Sequence, residues 1–217
     1  MIKRQHLFLA LSLLVASSVY AQSLPQDVDD IDTMLPEDWG RTCVTGDLNK
    51  DGIADLVVIT TSDDPEHFIE REYGEPINGN VPILGIYFGT TTDNYHLWRQ
   101  YNDLLQPCDE VCMNYYTLEI TDRGVLRMME ETECSMGSWS NPSITKSYRY
   151  QDGDFFLIGK DEHALYRNTG EDTTMSENYL THKRQTITSN AFDDSIKPVE
   201  KWTDLPKDPL LRLGEEN

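Results

Sequence analysis

Positive charge is scarce in this chain. Against 38 aspartates and glutamates there are 18 lysines and arginines, and the formal net charge is −20 at pH 7. So negative a surface repels nucleic acid and anionic lipid, so neither is expected as a partner. No apolar periodicity of the helical kind extends beyond about three turns. Catalytic signatures are missing as well. There is no G-x-S-x-G and no H-E-x-x-H, and "GDFFLIGK" has five residues between its glycines, one too many for a phosphate loop. After residue 21 the histidines are His67, His96, His163 and His182, scattered along the chain. Nothing therefore pairs a nucleophile with a base, and choosing a glycosidase pair among 38 carboxylates would be arbitrary.

One hydrophobic run does stand out, at the start. In "MIKRQHLFLALSLLVASSVYAQS", Lys3 and Arg4 precede an apolar stretch from Leu7 to Val19, and Val19-Tyr20-Ala21 forms a small-x-small cleavage site. The stretch is short for a membrane span, which needs about 20 apolar residues. It reads as a secretory signal peptide over residues 1–21, cut after Ala21, and the competing reading is an uncleaved anchor. Cleavage leaves 196 residues and a net charge near −22. The expected location is periplasmic or secreted, with no membrane insertion after cleavage.

Four cysteines remain: Cys43, Cys108, Cys112 and Cys134. An even number in an exported chain points to disulfides. The short spacing favours Cys108–Cys112, which forces Cys43–Cys134. Zinc is the competitor, but paired C-x-x-C spacing is absent.

The chain after residue 34 reads as one β-rich domain over 35–188. Residues 22–34 are polar, acidic and proline-bearing, and are expected to form a flexible lead-in. "WGRTCVTGD", "DLVVITT" (55–61), "VPILGIYFG" (81–89) and "NYHLWRQYND" (94–103) carry strand patterns. Residues 62–80 read as a loop with a short helix at 65–71. From 115 to 188 the pattern is a meander, with hairpin signals at Asp122-Arg123-Gly124 and Asp152-Gly153. A last strand pair is expected around 175–188, then an irregular tail over 189–217. The fold class is all-β and mainly antiparallel, a sandwich or an open barrel-like sheet. Trp39, Tyr87, Trp98, Tyr148, Tyr150 and Phe156 fit alternating strand faces, where core packing accounts for them.

One stretch crowds like charges together. "GDLNKDGIADLVVIT" places Asp47, Asn49 and Asp51 at alternate positions, followed by Gly52 and Asp55. Calcium takes six to eight hard oxygens at about 2.3–2.6 Å, and a cation at the centre converts the carboxylates' repulsion into attraction. The pattern D-x-N-x-D-G-x-x-D supplies four side-chain ligands and the Ile53 carbonyl. An EF-hand would need a carboxylate at its twelfth position, which is Val58, and strand formers follow at once. The site is therefore a calcium hairpin within residues 40–61. The competing reading is a polar hairpin in which Asp and Asn serve turn geometry alone.

"GDLNKDGIADLVV" resembles the calcium loop of FG-GAP or VCBS repeats, the blades of integrin-α-type propellers. The resemblance implies that Asp47, Asn49, Asp51, the Ile53 carbonyl and Asp55 hold one structural calcium ion. A propeller needs several such blades and this chain has one copy, so a closed propeller is not expected. More of the chain is similar to exported bacterial proteins carrying a single such loop, through "LPEDW" (35–39), "DPEHF" (64–68), "SYRYQDGDFFLIG" (147–159) and "NYLT" (178–181). That similarity implies a unit from residue 35 to about 186, and no reaction or ligand beyond calcium. The family's tryptophan-rich strand before "YRY" is reduced here to "SMGSWSNPS".

The function expected is non-enzymatic. An acidic β-protein outside the cytoplasm can bind a protein or cell-envelope component, for instance as an inhibitor or immunity-type protein that plugs a basic cleft. Loops 62–80 and 102–114 are the expected contact regions. The alternative is an envelope-polymer hydrolase using carboxylates of unequal pKa. The acidic run Glu130, Glu131, Glu133 fits a solvated strand end, with a second cation or a basic partner as its other reading.

Overall fold

The computed structural model describes residues 23–92 and 94–215. Residues 1–21, for which a signal peptide is expected, lie outside them. The described chain is all-β, with antiparallel pairing throughout and no α-helix. One five-stranded sheet holds β1 (Asp27–Val28), β7 (Tyr95–Tyr101), β6 (Ile83–Gly89), β3 (Asp55–Thr61) and β2 (Gly40–Gly46) in that order. A seven-stranded sheet is a pure meander: β8 (Cys112–Ile120), β9 (Val125–Cys134), β10 (Ser140–Gln151), β11 (Asp154–Tyr166), β12 (Glu171–Asn178), β13 (Lys183–Asn190) and β14 (Val199–Asp204). The tight hairpins expected at Asp122–Gly124 and Asp152–Gly153 join β8 to β9 and β10 to β11.

The two sheets share a core. Val57, Ile59, Leu84 and Ile86 of the smaller sheet meet Leu118, Leu126, Met128, Tyr148, Phe155 and Leu157 of the larger one. Phe88, Trp98, Tyr150 and Phe155 close one end of it with tilted and edge-on rings, the Phe88–Tyr150 centroids lying 5.0 Å apart. The smaller sheet is covered on its other face too, where Leu24, Val28 and Leu35 pack on Leu56, Val58, Ile83 and Tyr87. Burial on both faces explains why "DLVVITT" is a continuous apolar run instead of an alternating one.

That second cluster corrects the expectation for residues 22–34. The segment is packed from Leu24 onward. Leu24 N donates to Gln100 Oε1 (2.8 Å), Tyr87 OH donates to Pro25 O (3.0 Å), and β1 pairs with β7. Without it the outer side of β3 and β6 would stand in water. The expected helix at 65–71 shrinks to a 3-10 turn, Pro65–His67, started by Asp64. It runs into a two-stranded pair of β4 (Phe68–Ile69) and β5 (Ile77–Asn78).

The tail also departs from expectation. The sequence predicts an irregular tail over 189–217, yet β14 pairs with β13, and a later stretch returns to the sheet. Leu157 N donates to Leu211 O, and Leu213 N to Phe155 O, both at 2.9 Å. The cause is a length mismatch. β12 leaves the side of β11 at Gly159, so residues 154–158 present an open edge that the tail fills.

The disulfide is Cys112–Cys134, and Cys43 and Cys108 are free thiols. The expected pairs Cys108–Cys112 and Cys43–Cys134 do not form. Strand register decides this: β8 and β9 place Cys112 directly opposite Cys134. A turn built on Asp109, whose Oδ1 accepts from Val111 N (2.7 Å) and Cys112 N (2.6 Å), sets Cys108 beside Asn114 instead.

Candidate metal site

The Asp47–Asp55 segment is the connection between β2 and β3. Its acidic and amide side chains fold it by capturing backbone N–H groups. Asp47 Oδ1 accepts from Lys50 N (2.7 Å) and its Oδ2 from Gly52 N (3.0 Å). Asp51 Oδ1 accepts from Ile53 N (2.8 Å), and Asn49 Oδ1 accepts from Asp51 N (3.0 Å). These side chains compete successfully for backbone donors because each is short enough to reach N–H groups two to five residues ahead in the tight turn. Lys50 takes a left-handed φ of 64° as part of the same turn.

Asp55 differs from the others. It has 0% exposure, and its carboxylate ties together three segments. Oδ2 accepts from Leu48 N (2.8 Å) and Asn49 N (3.3 Å), while Oδ1 accepts from Gly89 N (3.0 Å) at the end of β6. Burial raises its pKa above the ordinary carboxylate value. The bonds from Gly89, Leu48 and Asn49 offset part of that rise, and the nearby Asp51 charge adds to it.

Two glycines let the loop sit where it does. A Cβ on Gly89 would stand 2.1 Å from Ala54 O, and one on Gly124 would stand 2.7 Å from Asp47 O. Gly124 belongs to the β8–β9 turn of the other sheet. The loop is thus wedged between the two sheets, and its Leu48 (1% exposed) enters their shared core. The spacing of Asp47, Asn49, Asp51 and Asp55 is visible in the sequence, whereas this cradle is not. Gly124 reads there only as a turn residue, and nothing marks Gly89.

The donor chemistry fits a hard cation. Three carboxylates, one amide oxygen and one carbonyl come from one loop, and a carboxylate has about four lone-pair positions, of which N–H groups use two on Asp47, two on Asp51 and three on Asp55. Among the described residues no group of three or more His, Cys, Asp or Glu side chains is gathered at ligating distance. Asp55 is turned inward to its three amides, so the side-chain oxygens most open to an ion are those of Asp47, Asn49 and Asp51. With calcium bound, these residues, the Ile53 carbonyl and Asp55 would hold it, and the ion would supply the charge that the loop lacks.

The acid–base arrangement of a hydrolase would need a carboxylate held high inside a cleft. Among the described residues Asp55 is the carboxylate raised above its ordinary value, and it is walled in by backbone. Glu177, a carboxylate that lines a cavity, shifts the other way. Burial opposes its ionisation, but hydrogen bonds from Tyr179 and Arg184 outweigh that and lower its pKa.

Comparisons with protein-family models, with curated proteins and with solved structures give no match for this chain.

Proposed function

We propose that this is an exported, calcium-stabilised β-protein that acts by binding a protein or cell-envelope component. The observation that carries the calcium part is the loop itself, wedged between the two sheets, with Asp47, Asn49 and Asp51 its more open donors and Asp55 buried behind them. An ion at that point opposes the repulsion between Asp55 and Asp51 and braces both sheets at once. The binding part is supported by the strongly acidic balance of the chain and by the exposed stretch 70–76, with Tyr73 81% exposed, on a rigid sandwich. A basic cleft on a partner is the matching surface, as in inhibitor or immunity-type proteins.

Extracellular calcium modules bind with Kd of roughly 0.1–1 mM. At ~1 mM calcium the linkage is then about 0.4–1.4 kcal/mol. For a chain of this size that raises Tm by about 1–5 °C. The measurement is Tm in calcium and in chelator, for wild type and Asp51→Ala. Wild type should show the shift and Asp51→Ala should not. No shift in wild type, with no calorimetric binding up to several millimolar, would show the loop to be a turn only. A broad panel of peptidoglycan, glycan, ester and peptide substrates should give no turnover. Turnover that disappears on replacing one carboxylate would favour the hydrolase instead.

A further inference from the structure

The segment after β14 roofs a cavity on the inner face of the larger sheet. Leu205 N donates to His182 O (2.9 Å) at one end, and Leu211 and Leu213 pair with β11 at the other. Between these pins Pro206 and Pro209 have no N–H to add to a ladder, so the segment bows away from the strands. The space beneath measures about 320 Å³, the scale of a small-ligand site. Leu157, Leu205, Pro209 and Leu210 give it apolar walls, and Glu177, Tyr179, His182 and Arg184 form a polar end.

That polar end is preorganised. The Glu177 side chain is 8% exposed, and its Oε2 accepts from Tyr179 OH at 2.5 Å. Its Oε1 accepts from Arg184 Nε at 2.6 Å and also from Nη2. Glu177 and Arg184 face each other directly in the β12–β13 register, so the contact follows from strand pairing. A guanidinium carries five N–H donors in a rigid fork. Glu177 takes the edge formed by Nε and Nη2. The end-on edge, formed by Nη1 and the second Nη2 proton, has no partner among the described residues. A half-exposed ion pair such as this one, with the Arg184 side chain 40% exposed, adds little stability. What this one does is hold Arg184 fixed with its end-on edge unused.

We infer that this cavity binds a monocarboxylate with an apolar body, its two oxygens taken by the end-on edge of Arg184. The geometry is the bidentate fork that guanidinium and carboxylate share. Glu177 already offsets much of the Arg184 charge, and Asp208 stands exposed at the rim, so a second negative charge on the ligand would be repelled. The same chemistry is offered by a free aliphatic acid and by the C-terminal carboxylate of a peptide ending in an apolar residue. This site is remote from the Asp47–Asp55 loop in sequence and does not depend on calcium.

The test is titration followed by amide chemical-shift mapping, in chelator, with octanoate, octanamide, octan-1-ol and suberate. A second arm uses short peptides ending in leucine, with free or amidated C-termini. Octanoate should bind with Kd of about 0.1–5 mM and perturb residues 177–184 and 205–211. The amide, the alcohol and the dicarboxylate should each be weaker by roughly tenfold or more. Selectivity for free-terminus peptides over octanoate would assign the source as polypeptide, and the reverse would assign a free acid. Arg184→Lys should weaken the acid by roughly tenfold while circular dichroism remains native. Leu210→Trp, which leaves the ion pair alone, should fill the cavity and abolish binding. Octanoate that fails to bind at about 20 mM, or an amide that binds as well as the acid, overturns the inference. So does binding that survives Leu210→Trp.

Discussion

Asp55→Ala should weaken the fold more than any substitution at Asp47, Asn49 or Asp51. The carboxylate has 0% exposure and accepts from the N–H groups of Leu48, Asn49 and Gly89. Each donor stranded by its removal costs about 1–3 kcal/mol. Leu48 N is the deeply buried one, and water entering the vacated space can serve the other two in part. A total of about 3–5 kcal/mol follows, as an upper figure, because deleting the carboxylate also removes its own desolvation cost. Domain stability is about 5–15 kcal/mol, so the variant should still fold but with a much lower urea midpoint. Asp55→Asn keeps the shape and one acceptor while pointing an NH2 group at a backbone donor, so its loss should fall between wild type and Asp55→Ala.

Acidity separates this mechanism from simple loss of packing. Burial holds the folded pKa of Asp55 above its ordinary 3.8. Such a group contributes stability that is complete below 3.8 and is lost as pH rises through the folded value. In chelator, the gap between wild type and Asp55→Ala should therefore widen as pH falls from neutral. Glu177 acts in the opposite sense: its folded pKa lies below 4.5, so its contribution is present above 4.5 and is lost as pH falls through the folded value. Calcium binding as proposed would need Asp55 ionised, so any calcium-dependent gain should fade on acidification. Urea titrations at a series of pH values check all three points. A loss under ~1 kcal/mol for Asp55→Ala, with a gap independent of pH, would refute the account of Asp55 as the knot of the loop.

Two further substitutions and a chemical map probe the rest of the architecture. Gly124→Ala forces a side chain into a φ of 68° and sets its Cβ 2.7 Å from Asp47 O, so it should cost about 2–4 kcal/mol and shrink the calcium-dependent Tm shift. Gly153→Ala is the control, with a φ of 82° but no atom within 4 Å of the new Cβ, and should cost only about 1–2 kcal/mol by urea denaturation. Peptide mapping of the oxidised protein should find Cys112–Cys134, with Cys43 alkylated fast and Cys108 slowly. Reduction should remove up to about 3 kcal/mol, and recovery of a Cys108–Cys112 peptide would refute the register argument.

The parts of the fold that could be read in the sequence are those whose cause is local. The Asp152-Gly153 and Asp122–Gly124 signals set their own turns, and alternation along "NYHLWRQYND" marks β7 because side chains there face opposite sides of one sheet. The cysteine pairing failed for the opposite reason. Spacing along the chain makes Cys108 and Cys112 neighbours, but the register of two later strands sets Cys112 against Cys134. The lead-in from Leu24 and the tail to Leu213 failed likewise. Both are polar segments whose few apolar residues matter only because a strand face or a strand edge elsewhere would otherwise stay uncovered.

The two candidate sites divide along the same line. A loop that gathers its donors within nine residues writes its chemistry into its own spacing, so Asp47, Asn49, Asp51 and Asp55 could be picked out before any strand was placed. What that spacing cannot carry is the third arm of the knot, Gly89, which lies thirty-four residues from Asp55 and contributes only a backbone N–H. The cavity under the tail is hidden more completely. Glu177 and Arg184 meet because β12 and β13 pair in one register, and Tyr179 completes them from the turn between. Their roof exists because β12 departs from β11 at Gly159, leaving an edge for the tail to occupy. Each of those steps depends on where a strand stops, and strand ends are set by competition among neighbours that no single segment contains.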